Sequence, residues 1–230
     1  MTALGHPRLH LRTTDSTNLR ARALALAGAP QGTLVTASEQ SAGRGRQGRT
    51  WSAPAGRALL MTVLLRDPPP LLPLLAAVAV SDVCGERAAI KWPNDVLLRP
   101  KTGEMRKVAG ILVEGRPQER WAVVGIGLNV AVRDEDLPDE LRERATGLGL
   151  EPPDVERVLA DLLAALEARI ASPDATLAVW RERDALRGRT ITWAAGSGTA
   201  DGVDDDGRLR VETADGTVFL DAGEVHLGAQ

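Results

Sequence analysis

Apolar runs separated by polar turns divide most of the chain into strands and helices. Strands are predicted where these runs are short and rich in Val, Ile and Leu, over 32–40, 57–66, 88–98 with a central turn, 108–115 and 120–130. Helices are predicted where longer apolar or amphipathic patterns occur, over 15–28, from the Pro-rich stop at 67–73 to about Cys84, over 152–170 and over 173–184. The turn GRPQ (115–118) joins the last two strands and predicts a hairpin.

Several helix ends carry recognisable signals. At the first helix, Asp15, Ser16 or Thr17 is expected to cap the free N–H groups, and Gly28 to end the helix. Asp154 is the expected N-terminal cap of the long amphipathic helix.

The pattern changes after about Leu186. Four or five short alternating strands follow, broken at Asp206-Gly207 and Asp215-Gly216, which are strong hairpin signals. This texture predicts a small β-barrel. The chain is therefore expected to be α+β, with a mixed-sheet catalytic domain over 1–185 and the barrel over 186–230.

Composition excludes some classes of protein. A hydrophobic fraction of 43% excludes a disordered chain, and a net charge of −3 argues against a dedicated nucleic-acid binder. Cys84 is the only cysteine, so no internal disulfide is expected. The N-terminus lacks a signal-peptide pattern, and no apolar run reaches membrane-spanning length. We therefore expect a cytoplasmic protein.

The segment SAGRGRQGRTW (41–51) is the most unusual stretch of the chain. Three functions compete for it: an arm that grips nucleic acid, a loop that closes over a small anion, and a plain solvated turn. Glycines let backbone N–H groups form an anion nest, and Arg44, Arg46 and Arg49 supply forked donors. Trp51 adds a flat surface for a planar base. On an acidic chain the small anion is favoured.

Further polar residues follow the predicted strands. In KWPND (91–95), Asn94 and Asp95 are a plausible oxygen pair for Mg²⁺, although they also suit a simple turn. Only three of the 28 basic residues are lysines, so Lys91 and Lys107 stand out. Gly110 lies inside a strand, which often marks the close approach of a ligand. The G-x-G of GIGLN (125–129) is weak on its own.

Other catalytic patterns are absent from the sequence. The three histidines are scattered, there is no cysteine pair, and neither G-x-S-x-G nor a Walker-type G-x-x-x-x-G-K-[ST] motif occurs. A nucleotide would have to be bound in another way.

Five motifs together resemble the biotin protein ligases: DSTN, EQSAGRGRQGRTW, KWPNDV, KVAGILVE and GIGLNV, in that order. The resemblance runs from about Leu11 through the C-terminal barrel. It implies a biotin/lipoate-ligase type of catalytic domain with an SH3-like barrel. It also implies that biotin and Mg²⁺-ATP form biotinyl-5′-AMP, from which biotin passes to one lysine of a biotin carboxyl carrier protein.

The same resemblance implies roles for individual residues. Catalytic roles fall on Lys107, Arg46 and Asp95, with Asp95 also the expected metal ligand. The biotin-binding residues would be Ser16, Thr17, Gln40, Gly43, Arg44, Arg46, Lys107, Gly110 and Gly125. The ATP-binding residues would be Arg46, Arg49, Trp51, Lys91, Asn94, Lys107 and Asn129.

The sequence also departs from part of the family. Members that repress transcription carry a helix-turn-helix domain before DSTN, and only about a dozen residues precede it here, so the resemblance is to the monofunctional class and DNA is not an expected partner. Gly228 stands where some relatives place an arginine near ATP. A homodimer through the catalytic sheet is an expectation from relatives. The alternatives are a lipoate protein ligase and, in a different class, an Arg-Gly nucleic-acid-binding module.

Overall fold

The computed structural model describes residues 4–99, 103–221 and 225–227, so Gly228 lies outside the described residues. Its larger sheet has seven strands: β1 (Arg8–Thr14), β2 (Leu34–Gln40), β3 (Ala58–Arg66), β4 (Ala88–Lys91), β5 (Asp95–Leu98), β6 (Arg106–Arg116) and β7 (Trp121–Asn129). They lie in the order β1-β2-β3-β7-β6-β5-β4. Strands β1 and β2 are parallel, and the other neighbours are antiparallel.

Helices cover both faces of this sheet. They are α1 (Thr17–Leu26), α2 (Leu72–Cys84), α3 (Asp139–Arg142), α4 (Val155–Ala171) and α5 (Pro173–Glu182). Strand β3 is buried on both faces because Met61, Val63 and Leu65 pack with α2 and α4, while Leu64 packs with Ala21 and Ala25 of α1. A continuous apolar strand is expected when both faces are covered.

The second sheet is antiparallel, in the order β11-β10-β9-β8-β12. Its strands are β8 (Thr190–Trp193), β9 (Gly196–Val203), β10 (Leu209–Thr213), β11 (Gly216–Leu220) and β12 (His226–Leu227). The predicted α+β class and both hairpins are confirmed. The first hairpin turn rests against the larger sheet, where the indole N–H of Trp92 donates to the Gly207 carbonyl at 3.1 Å. The expected boundary at 185/186 falls in the connection between α5 and β8.

The predicted starts of α1 and α4 are correct, but the predicted side-chain caps are wrong, because no side chain caps the backbone N–H groups of either helix. Helix α1 begins after Ser16 and Gly28 follows its end with φ of 83°, but no side chain caps it. Asp15 instead accepts the backbone N–H of Ser16, and Thr17 bonds Gln40. Asp154 precedes α4, but it accepts from the Glu151 N–H and from the Arg157 side chain rather than from the backbone N–H groups of the helix. At α1, the polar side chains are directed into a cleft rather than onto the helix.

Candidate active site

The floor of this cleft is the face of the larger sheet beside α1, where three glycines take the place of side chains. Gly110 pairs with Gly127 across β6 and β7, and Gly125 lies two residues earlier on the same face. A Cβ on Gly125 would overlap the Asn18 amide, and one on Gly127 would overlap the Trp51 indole. Glycine is required at both positions because other side chains already occupy the space above them.

One end of the cleft is a polar pocket at the start of α1. The backbone N–H and the hydroxyl of Thr17 lie 2.8 and 3.1 Å from Gln40 Oε1. The Thr62 hydroxyl, from the buried centre of β3, lies 2.7 Å from Asn18 Oδ1 and 2.8 Å from Thr17 Oγ1. These hydrogen bonds hold the side chains in fixed positions before a ligand arrives. Binding therefore costs little side-chain entropy.

The Asn18 amide extends this network along β6. Its nitrogen donates to the Leu112 carbonyl at 3.2 Å and to Glu114 Oε2 at 2.9 Å. Neither Asn18 nor Thr62 was among the predicted site residues, and Glu114 was not either. Asn18 and Glu114 do lie in the motifs DSTN and KVAGILVE, and Thr62 is a polar residue inside the apolar run of β3, but no role was assigned to any of the three.

The Gly-Arg segment folds over the cleft as a narrow hairpin. The N–H of Trp51 donates to the Gly43 carbonyl at 2.9 Å, and the N–H of Gly45 to the Arg49 carbonyl at 2.7 Å. A Cβ on Gly43 would meet the Trp51 carbonyl and the Gln40 amide, so this glycine permits the close crossing. Arg44, Arg46 and Arg49 all line the cleft, whereas Gly43 does not.

The other end of the cleft is charged. Lys107 Nζ lies 2.7 Å from Asp95 Oδ1 and 5.5 Å from the centre of the Trp51 ring. Burial lowers the pKa of the Arg46 guanidinium, and the Asp95 carboxylate partly offsets this. The cleft lining holds several cations, Lys107 and Arg46 among them, and Asp95 as its carboxylate, which suits a polyanionic ligand.

Two predicted asparagines make structural hydrogen bonds. Asn94 lines the cleft, but its amide donates to the Ile111 carbonyl at 2.9 Å and so ties the β4–β5 turn to β6. Asn129 lies outside the cleft lining, 5% exposed, and donates to the Thr146 carbonyl at 3.1 Å. Its ATP-binding role stays a prediction.

The structure gathers most of the predicted residues around one cleft. The predicted residues that line it are Ser16, Thr17, Gln40, Arg44, Arg46, Arg49, Trp51, Lys91, Asn94, Asp95, Lys107, Gly110 and Gly125. Val225, which directly precedes β12 of the second sheet, is buried and lines the same cleft.

The described residues contain neither a cluster of metal-ligating side chains nor a membrane-spanning helix. No group of three His, Cys, Asp or Glu side chains there could hold a metal ion by itself. No helix in that part of the chain is long and apolar enough to cross a membrane.

Fold and cleft agree with the family comparisons. The chain belongs to the Biotin/lipoate A/B protein ligase family, whose model matches residues 10–130. Residues 188–228 match the model of the biotin protein ligase C terminal domain, which indicates the biotin branch of that family.

Individual relatives agree with that branch. The chain is 36% identical to the biotin–[acetyl-CoA-carboxylase] ligase of Paracoccus denitrificans, over 95% of this chain and 99% of that protein. It is 35% identical to the bifunctional ligase/repressor BirA of Bacillus subtilis, over 98% of this chain and 75% of that protein. The biotin protein ligase of Aquifex aeolicus in complex with biotin and ATP is similar in structure, with a TM-score of 0.80 at 27% identity and coverage of 98% and 100% of the two chains.

Proposed function

We propose that this protein is an ATP-dependent biotin protein ligase. The observation that carries the proposal is one cleft in which a polar pocket at Thr17 and Gln40 meets Lys107 and Arg46. A small acid bound in the pocket would present its carboxylate to the cations, beside the phosphates of ATP. The relatives that act on biotin support this assignment.

The chemistry then proceeds in two steps. A biotin carboxylate oxygen bonds to the α-phosphorus of ATP as the bond to pyrophosphate breaks, which gives biotinyl-5′-AMP. The amine of a carrier lysine next bonds to the acyl carbon, and AMP leaves. The first step brings two anions together, so its barrier is largely electrostatic and positional. We assign its stabilisation to Lys107 and Arg46, with Trp51 and Arg49 on the nucleotide side.

We expect Mg²⁺ to enter with ATP rather than in a protein cage. Mg²⁺ is commonly held by one or two carboxylates together with substrate phosphates. Asp95 lines the cleft and fits this need, with its Oδ1 2.7 Å from Lys107 Nζ. The same carboxylate is placed to orient the acceptor amine of a biotin carboxyl carrier protein. We also expect a cytoplasmic protein without sequence-specific DNA binding, and a homodimer through the larger sheet.

The two alternatives predict different ligands. A lipoate protein ligase would activate lipoate in place of biotin. A nucleic-acid-binding module would use Arg44, Arg46 and Arg49 to grip phosphates and would bind RNA or DNA in a salt-sensitive way.

The test is transfer of biotin to a purified biotin carboxyl carrier domain in the presence of Mg²⁺-ATP, followed by mass spectrometry. We expect one biotin on one lysine, no transfer to a carrier whose acceptor lysine is replaced by arginine, and no transfer of lipoate. Transfer of lipoate alone would support the alternative ligase, and salt-sensitive RNA or DNA binding without any transfer would support the binding module.

A further inference from the structure

A single carboxylate joins the polar pocket to the Gly-Arg hairpin. Glu114, near the end of β6, has a side chain that is 19% exposed. Its Oε2 accepts the Asn18 amide of the pocket at 2.9 Å. Its Oε1 lies 2.9 Å from Arg22 of α1 and 3.4 Å from Arg44 of the hairpin. No predicted role in binding or catalysis falls on it.

We propose that Glu114 is a positioning residue that couples occupation of the polar pocket to closure of the Gly-Arg hairpin. The idea rests on the proposed function, since it takes the pocket as the site of the biotin ring. The Asn18 amide nitrogen donates to the Leu112 carbonyl and to Glu114, and its oxygen accepts from the Thr62 hydroxyl. The position of Asn18 is therefore tied to that of Glu114, and through it to Arg44.

Charge explains why a glutamate suits this position. Arg22 is fixed on a helix, so it neutralises Glu114 whatever the hairpin does. Arg44 is carried by the hairpin, and its side chain is 43% exposed, so its ion pair forms only when the hairpin lies over the cleft. The Arg44–Glu114 pair thus favours the closed hairpin, in which Arg46 and Arg49 line the cleft.

The hairpin provides its own readout because trypsin cleaves after Arg46 and Arg49 when the segment opens. We expect Glu114→Gln to speed this cleavage in the free protein about one and a half- to fivefold, the range of a partly exposed charge pair. It should also raise the KM for biotin by a similar factor with little change in kcat. Glu156→Gln removes a Glu–Arg pair with Arg8 on another surface and should behave like the parent protein.

Arg44→Gln gives a second route that leaves the strand intact, should Glu114→Gln reduce the melting temperature. It should speed cleavage after Arg46 and Arg49 to the same extent, and the double variant should be cleaved no faster than either single variant. Parent-like cleavage of both single variants, or independent effects that multiply in the double variant, would overturn the coupling. The proposed function is tested separately in the parent protein. It fails if biotin with ATP does not slow trypsin cleavage after Arg46 and Arg49.

Discussion

Two glycines on one strand allow the two ends of the cleft to be tested with matched substitutions. Gly125 and Gly127 lie on the same face of β7, but a Cβ at 125 would overlap Asn18 and a Cβ at 127 would overlap Trp51. Gly125→Ala should therefore weaken biotin binding and leave ATP binding nearly unchanged. Gly127→Ala should do the reverse, since the Trp51 ring is the proposed platform for adenine.

The size of the first effect follows from the bonds that Asn18 makes. Moving its amide away from the methyl group that Gly125→Ala adds breaks the bond to Thr62 and one of those to Glu114 and Leu112. Two hydrogen bonds at a net 0.5–1.5 kcal/mol each give roughly 1–3 kcal/mol. If the network must re-form before biotin binds, Kd should rise about 5- to 150-fold.

Calorimetry with biotin, and separately with a non-hydrolysable ATP analogue, measures both effects in each variant. Thermal unfolding checks that both variants remain folded. If the two alanine variants lose affinity for the same ligand, the division of the cleft into a biotin end and a nucleotide end is wrong. If neither loses affinity, the glycine floor does not position Asn18 and Trp51 for binding.

Three further predictions concern single side chains. Lys107→Arg should slow pyrophosphate release at saturating biotin at least about tenfold, because the compact ammonium between Asp95 and Trp51 leaves no room for a planar fork; a parent-like rate would make Lys107 a surface charge. Arg46→Gly should release biotinyl-5′-AMP about ten- to a hundredfold faster, since one charge-assisted hydrogen bond is worth roughly 1.5–3 kcal/mol, and streptavidin blots should show more biotin on bystander albumin; unchanged release and labelling would remove the clamp role. Burial raises the pKa of Asp184 to about 6, so the folded state binds its proton more tightly than the unfolded state and this residue costs stability as pH rises from about 4 to about 6. Asp184→Asn should therefore raise the melting temperature at pH 7.5 and much less at pH 4.5; an equal gain at both pH values would contradict the burial argument.

Much of the site could be predicted from the sequence because its residues lie in short, distinctive segments. The Gly-Arg segment and KWPND each place several polar groups within a few positions, which drew attention to Arg46 and Asp95, and the scarcity of lysine drew attention to Lys107. Their roles were implied by the family resemblance. Strands β3, β6 and β7 were predictable because their central runs are apolar. Strand β1 was not predicted, because its sequence RLHLRTT is mostly polar and exposed. The sequence did not reveal the role of Asn18, which depends on Thr62 and Glu114, residues 44 and 96 positions away.

The helix caps were mispredicted for a related physical reason. Ser16 and Thr17 are good capping residues by type, and local rules assign their oxygens to the helix N–H groups. In the fold, Gln40 at the end of β2 lies beside Thr17. The backbone N–H and the hydroxyl of Thr17 both donate to Gln40 Oε1, at 2.8 and 3.1 Å, and Thr17 does not cap the helix. Local propensity gave the position of the helix start, and tertiary contacts decided the use of the side chains.

The central claim is that biotin is activated by ATP in this cleft before any carrier protein is present. Exchange of labelled pyrophosphate into ATP measures that step alone, with the purified protein, Mg²⁺ and no carrier domain. The account predicts exchange that depends on biotin, is absent with lipoate, and is strongly reduced in Lys107→Arg. Exchange with lipoate but not biotin, or no exchange with biotin in a folded protein, would contradict it.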